Sequence, residues 1–306
     1  MNILTFDIEE WYIEKFYKNA EAVKYKAYDY MLFRILDLLD KHNTKATFFC
    51  LGSLVEHFPY VIKEIDARGH EIGCHSLNHR WVNKMTEKEF YEDTYAAVSA
   101  LRDATGQEVL SYRAPAFSIG ESNKWAFDVL AKCGIKNDAS IFPGIRDFGG
   151  FPSFGLGNTP CKIQYNGIEI LEFPITMTKL PILGKSIAYS GGGYFRLLPI
   201  NFIKSKIEQS NYAMCYFHIN DLLDFKSKFM TKVEYERYFN EKGTFKDRLI
   251  RYAKANIGRK RAFLGLTTLL SDYEFFSVHE ASKRSEHFPI INLGCFHSIN
   301  DTITLK

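Results

Sequence analysis

Gly69-His-Glu-Ile-Gly-Cys-His-Ser-Leu-Asn-His79 is the stretch on which the reading of this chain turns. A short β-like run, 71–75, carries the chain into His75-x-x-x-His79, two imidazoles four residues apart. Coiled into one helical turn, the two rings would point the same way. That geometry suits two ligands on one metal ion. Zinc takes imidazole nitrogen readily, and a catalytic zinc wants a third protein ligand plus an open position for water. The spacing alone is common, and two polar residues on a loop would produce it as well.

A third ligand is on offer near the N-terminus. Ile3-Leu-Thr-Phe-Asp7-Ile-Glu9-Glu10-Trp11 reads as an apolar strand running into acids. Side chains alternate along a strand, so Asp7 and Glu9 share a face while Ile8 takes the other. One of the two carboxylates can bind metal and the other act as a base. A solvated acidic turn is the plain alternative.

Working outward, strands and helices alternate. Strands are predicted at 2–6, 46–51, 71–75, 109–112 and 135–138, and helices at 27–42, 55–67, 86–104 and 123–133. The third helix opens on a capping box, Thr86-Glu-Lys-Glu89. This alternation predicts an α/β fold, a mainly parallel sheet or barrel. Residues 141–167, rich in Gly, Pro and Phe, read as a long surface excursion. A strand at 168–173, a helix at 200–209 and a strand at 213–218 follow, and 225–306 reads as two helices with a strand or two. Asp7, His75, Arg113, Asp138 and His218 all fall at or just past the C-terminal ends of predicted strands. In α/β barrels that rim carries the active site.

Composition narrows the classes. The chain's 306 residues suit one large domain with an extension, or two domains. A net charge of +3 is too small to imply a nucleic-acid partner. No apolar run reaches the length of a transmembrane helix. Met1 leads directly into a strand-like run, so the expectation is a cytoplasmic protein without a signal peptide. Six cysteines, at 50, 74, 133, 161, 215 and 295, lack any C-x-x-C spacing and read as reduced, mostly core thiols. Residues 241–261 carry eight Lys or Arg against two acids. A solvated basic helix is the simpler reading of that patch, and peripheral contact with anionic lipid or a diphosphate-linked sugar is the alternative. Gly191-Gly-Gly193-Tyr194 lacks the Gly-Lys-Ser/Thr ending of a phosphate loop and reads as a flexible active-site loop or a plain turn. Trp81 and Tyr194 are candidates to stack on a sugar ring, with buried packing the simpler reading of each. His42, His57, His279, His287 and His297 show no partner pattern and read as ordinary surface residues.

The ordered set TFDIEEW (5–11), GHEIGCHSLNH (69–79), SYRAP (111–115), NDASIFP (137–143) and YFHIND (216–221) resembles the polysaccharide deacetylases with a NodB-homology domain, carbohydrate esterase family 4. The resemblance covers about residues 1–225. GGGYFRLLP (191–199) and NIGRKRAFLGLTTLLSDYEF (256–275) further resemble a subgroup with its own C-terminal extension, found in exopolysaccharide and surface-glycan biosynthesis. This divides the chain into a deacetylase domain, 1–225, and an extension, 226–306, packed on the barrel.

The resemblance implies a distorted, incomplete (β/α) barrel of seven strands holding one divalent metal, zinc, with cobalt or nickel able to substitute. It implies hydrolysis of N-acetyl, sometimes O-acetyl, groups on sugars. In these terms His75 and His79 ligate the metal with a carboxylate of the first motif. Asp7 is the base on a metal-activated water, and Arg113 pairs with it. Asp138 stands where the family places the acid that tunes the second histidine, and His218 is that histidine, the acid for the leaving amine. A backbone N–H just after Pro115, that of Ala116, is a candidate oxyanion donor, and Tyr194 a substrate contact. His70 recurs in the family string without being a ligand. One departure stands out: most relatives carry adjacent aspartates in the first motif, where this chain has Ile8. An acid-x-acid arrangement then assigns Glu9 to the metal and Asp7 to the base, with the reverse, or a role for Glu10, left open. A metal-independent amide hydrolase on the same scaffold and an inactive glycan-binding protein are the competing functions. A two-histidine, one-carboxylate iron oxygenase fits the ligand types but not the α/β alternation.

Overall fold

Strand β1 (Asn2–Ile8) is buried along its whole length from Ile3 onward, as a strand is when a parallel sheet is covered on both faces. In the computed structural model, which describes residues 1–17, 22–146, 149–180, 186–224, 227–239 and 242–294, β1 sits near one edge of a nine-stranded sheet. Cys295 and His297 lie outside the described residues. The other strands are β2 (Thr47–Cys50), β3 (Glu71–Cys74), β4 (Ser111–Tyr112), β5 (Asn137–Asp138), β6 (Cys161–Tyr165) and β7 (Ile168–Glu172), then a separate ribbon of β8 (Met177–Lys179) and β9 (Ser186–Ala188), then β10 (Ala213–His218) and β11 (Ile290–Asn292). Their order is β10-β1-β2-β3-β4-β5-β7-β6-β11. Among the described residues of this sheet, only the β6–β7 hairpin is antiparallel. β10 and β11 are the two edges, so this α/β barrel stays open.

Alternation along β1 separates two cores. Leu4, Phe6 and Ile8 pack under the outer helices, whereas Ile3 joins Phe49, Met214 and Tyr216 in a smaller inner cluster. Val278 and Ala281, from the C-terminal helix Val278–Ser282, plug that inner cluster. The backbone N–H of Val278 donates to Thr47 Oγ1 at 2.7 Å and that of His279 to Glu71 Oε2 at 2.8 Å. The chain's last third thus closes the end of the barrel where the strands begin.

Several elements depart from the sequence reading. The helix expected at 55–67 is two, Leu54–His57 and Pro59–Ala67, because the residue before a proline is driven out of the helical region. Residues 141–167 are not a surface excursion throughout. Phe142, Phe151 and Phe154 are buried and the segment contributes β6, as befits a stretch so rich in aromatic surface. Four α-helices, not two, follow residue 225 among the described residues: Lys232–Phe239, Phe245–Asn256, Arg259–Asp272 and Val278–Ser282. The capping box at Thr86 forms as expected, Glu89 bonding back to the Thr86 N–H at 2.8 Å. The five described cysteines are buried and unpaired.

Candidate functional site

Where β1 leaves the sheet, Glu9 turns toward the loop after β3. Its Oε2 lies 2.7 Å from His79 Nε2 and 3.4 Å from His75 Nε2. These three ligand atoms fall within 4.8 Å of one another. The Glu9–His79 approach is within hydrogen-bond reach, but no donor among the described residues meets this buried oxygen with good hydrogen-bond geometry. One carboxylate oxygen and two imidazole nitrogens that converge in this way fit a cation. His75 Nδ1 lies 2.8 Å from the Arg113 carbonyl oxygen, which must accept its proton and leaves Nε2 bare on the Glu9 side.

The two histidines do not share a helical turn. Residues 75–80 form a tight loop in which Ser76 (φ 72°) and His79 (φ 60°) take left-handed backbone conformations. Ser76 Oγ holds the loop by accepting from the His79 N–H at 2.9 Å. The rings still meet, 5.4 Å apart between centroids. Strained non-glycine backbone of this kind gathers at functional sites.

Arg113 lies fully buried beside this cluster. Its Nη1 donates to Asp7 Oδ1 and to Thr5 Oγ1, both at 2.8 Å, and its Nε to the Ala139 carbonyl at 3.1 Å. The flat guanidinium stacks on Phe49, 4.3 Å from the ring centre. Phe49 in turn lies across β3 only because position 73 is glycine, where a Cβ would meet its ring at 2.6 Å. The glycine in the GHEIG string is a packing requirement beneath Arg113.

His218, the last residue of β10, faces both acids: Nε2 is 3.5 Å from Glu9 Oε1 and 3.9 Å from Asp7 Oδ2. Its Nδ1 meets Asp221 Oδ2 at 3.1 Å. Desolvation works against the charge on His218, but Glu9, Asp221 and Asp7 outweigh it and raise its pKa well above the ordinary imidazole value. Burial likewise opposes charge on Glu9, yet His79 and His218 hold its carboxyl well below the usual range. Glu10 is different. Burial, with the Glu9 charge beside it, pushes its carboxyl up to about 7, and its Oε1 accepts from the Asn220 N–H at 2.7 Å. It serves the turn after β10 rather than the histidine pair.

Asp138 does not tune His218. It is the cross-strand partner of Glu172 on β7, both are fully buried, and Ser140 Oγ donates to Asp138 Oδ1 at 2.5 Å. The tuning position is filled by Asp221, three residues after His218, which the sequence reading passed over although H-x-x-D was its signal. Arg196, from the GGGYFRLLP stretch, stands behind it with Nη2 3.5 Å from Asp221 Oδ1. Tyr194, singled out in that stretch, is 44% exposed. Ala116 (φ 55°) and Phe117 (φ 53°) are consecutive left-handed residues in the turn after Arg113.

The Asp138–Glu172 pair has a consequence for stability. Burial first, then the Asp138 charge, drives the Glu172 pKa well above the carboxylate range. A raised carboxyl favours folding below its unfolded pKa and loses that contribution as pH rises toward the folded value. Glu172→Gln is therefore expected to leave the melting temperature unchanged near pH 4 and to raise it at pH 8 by roughly 2–4 °C, the shift that about 1 kcal/mol produces in a chain of this class. Scanning calorimetry at the two pH values checks this.

The sequence profile of the polysaccharide deacetylases matches residues 4–137, and that of a domain of unknown function (DUF3473) matches 139–283. A peptidoglycan-N-acetylglucosamine deacetylase of Bacillus cereus is 38% identical over 94 residues, covering 30% of this chain and 34% of that protein. A chitooligosaccharide deacetylase of Bradyrhizobium is 31% identical over 97 residues, 32% of this chain and 42% of that one. A peptidoglycan deacetylase of Helicobacter pylori is 32% identical over 133 residues, 44% and 43%. The chain thus spans less than half the length of these curated relatives. A solved structure from Mycobacterium smegmatis, described as a polysaccharide deacetylase, superposes with a TM-score of 0.60 at 16% identity over 92% of this chain and 88% of that one, and so shares the fold. Residues 4–137, which carry the histidine loop and the first acidic motif, thus have the sequence profile of the polysaccharide deacetylases, and the rest of the chain through 283 has that of the second domain.

Proposed function

We propose that the protein is a metal-dependent hydrolase that removes an acetyl group, N-acetyl above all, from a sugar or glycan intermediate. One observation carries the reading: ligand atoms of Glu9, His75 and His79 converge within 4.8 Å of one another. Two nitrogens and one carboxylate oxygen are a catalytic zinc's protein ligand set, which cobalt or nickel also accepts. When bound, such an ion supplies a Lewis acid and lowers the pKa of water. The names of the relatives, deacetylases of peptidoglycan and chitooligosaccharides, support the substrate class.

The chain's own residues divide the proton work. Asp7 is the base: Arg113 ties up Oδ1, so Oδ2 is left to take a proton from the attacking water. His218 is the acid. Its Nδ1 is occupied by Asp221, so Nε2, on the side of the two carboxylates, gives its proton to the leaving nitrogen, which cannot depart as an amide anion. The Ala116 N–H is the donor for the developing oxyanion, and Tyr194 is free to contact sugar.

The test is acetate release from chitin oligomers, nucleotide-linked and lipid-linked sugars, with chelator and with zinc restored. Release that chelator leaves untouched would overturn the reading. Arg196 supplies a finer check. Arg196→Gln is expected to lower kcat by about tenfold, the usual cost of losing a group that orients a catalytic one. KM should stay put and Arg196→Lys should restore part of the rate.

A further inference from the structure

Helix Phe245–Asn256 is built inside out. None of its residues is buried, and its polar side chains look toward the protein: Arg251 Nε donates to Tyr235 Oη at 3.0 Å, Arg248 Nη1 to the Met230 carbonyl at 3.2 Å, and Asn256 Oδ1 accepts from Ser227 N at 2.7 Å. Its outer side carries Leu249 and Ile250, 47% and 42% exposed, and one turn further on Ile257 at 46%. Lys246 and Ala253 share that side by helical spacing and are exposed. Gly258, whose positive φ of 71° and contact with the Arg196 carbonyl exclude any side chain, turns the chain into helix Arg259–Asp272. That helix adds exposed Lys260, Arg261 and Leu264.

We infer that this face is a docking surface for an anionic lipid bilayer, lying in the headgroup boundary. Apolar side chains flanked by lysines on one side of a helix are the composition that binds there. Lys242, Lys246, Lys254, Lys260 and Arg261 are exposed and make no ion pair with a described residue, so their charge is available to lipid phosphates. The charge argues against a second copy as the occupant, since a two-fold contact would set this patch against itself. No described helix is long and apolar enough to cross a membrane, so the contact is peripheral. The same helix holds the site from behind: its Ala255 and Lys254 carbonyls accept from Arg196 at 3.0 and 3.3 Å. Arg196 thus links this helix to Asp221 of the site.

The inference does not depend on the hydrolytic reading and is tested apart from it. The intact protein is sedimented with vesicles of phosphatidylcholine alone and of equal parts phosphatidylcholine and phosphatidylglycerol. Binding is expected only to the second, weakening as salt is raised. Leu249→Ser with Ile250→Ser, and separately Lys246→Gln with Lys260→Gln, should each lower partitioning by about tenfold or more, with melting temperature and acetate release from soluble oligomers unchanged. Equal binding to both vesicle types, no binding to either, or full binding by both double variants would overturn it. So would a lipid-free dimer, seen by analytical ultracentrifugation, that the serine variants dissolve.

Discussion

Glu9→Ala is expected to leave the purified protein without its metal and to cut kcat/KM by about a thousandfold or more, the several kcal/mol that a bound ion contributes to the transition state. The measurement is metal content by mass spectrometry beside acetate release. The result separates this chain from relatives with paired aspartates. Ile8 is fully buried in the outer core, so an acid at position 8 would face hydrocarbon, where an unpaired charge is costly. Glu9→Ala combined with Ile8→Asp should therefore recover no metal and lose stability. If Glu9→Ala retains zinc as tightly as the parent, Asp7 or Glu10 is the ligand and the assignment of base and ligand must be exchanged.

His218→Gln is expected to retain metal and to lower kcat by about 10²–10⁴-fold, the usual contribution of a positioned acid, with little change in KM. The pH profile carries the sharper signature. An acid must be protonated to act, so parental activity falls as pH rises through the pKa of His218, which lies above the ordinary imidazole value. The variant should lose that alkaline limb. Asp221→Asn removes one of the charges that raise the pKa and should move the limb toward lower pH. Profiles that coincide for parent and His218→Gln would show that another group protonates the leaving nitrogen.

Much of this arrangement was legible before any coordinates, for identifiable reasons. Strand periodicity alone puts Asp7 and His218 at strand ends, and the register of β1 against β10 then sets them side by side. The histidine spacing pointed to a pair that does meet Glu9, but through the wrong local structure. Convergence comes from two left-handed residues in a loop, which no helical periodicity encodes. Asp138 was misassigned because its fate rests on a cross-strand neighbour, Glu172, thirty-odd positions away on a strand whose existence periodicity shows but whose pairing it does not. Asp221 and Arg196 escaped notice because one looks like a cap on a short helix and the other is one more cation in a basic chain. Burial, with side chains 12% and 8% exposed, and contact with each other are what set them apart from surface charges.

Arg113 is bolted to both halves of the site by different parts of itself. Its side chain grips Asp7, and its carbonyl fixes the ring of His75. Trimming the side chain therefore frees the base while the peptide oxygen keeps the imidazole aimed, so cation affinity and turnover are separable at one position. Drift in the 113–115 turn would disturb both at once, and a lesion there would masquerade as a metal defect.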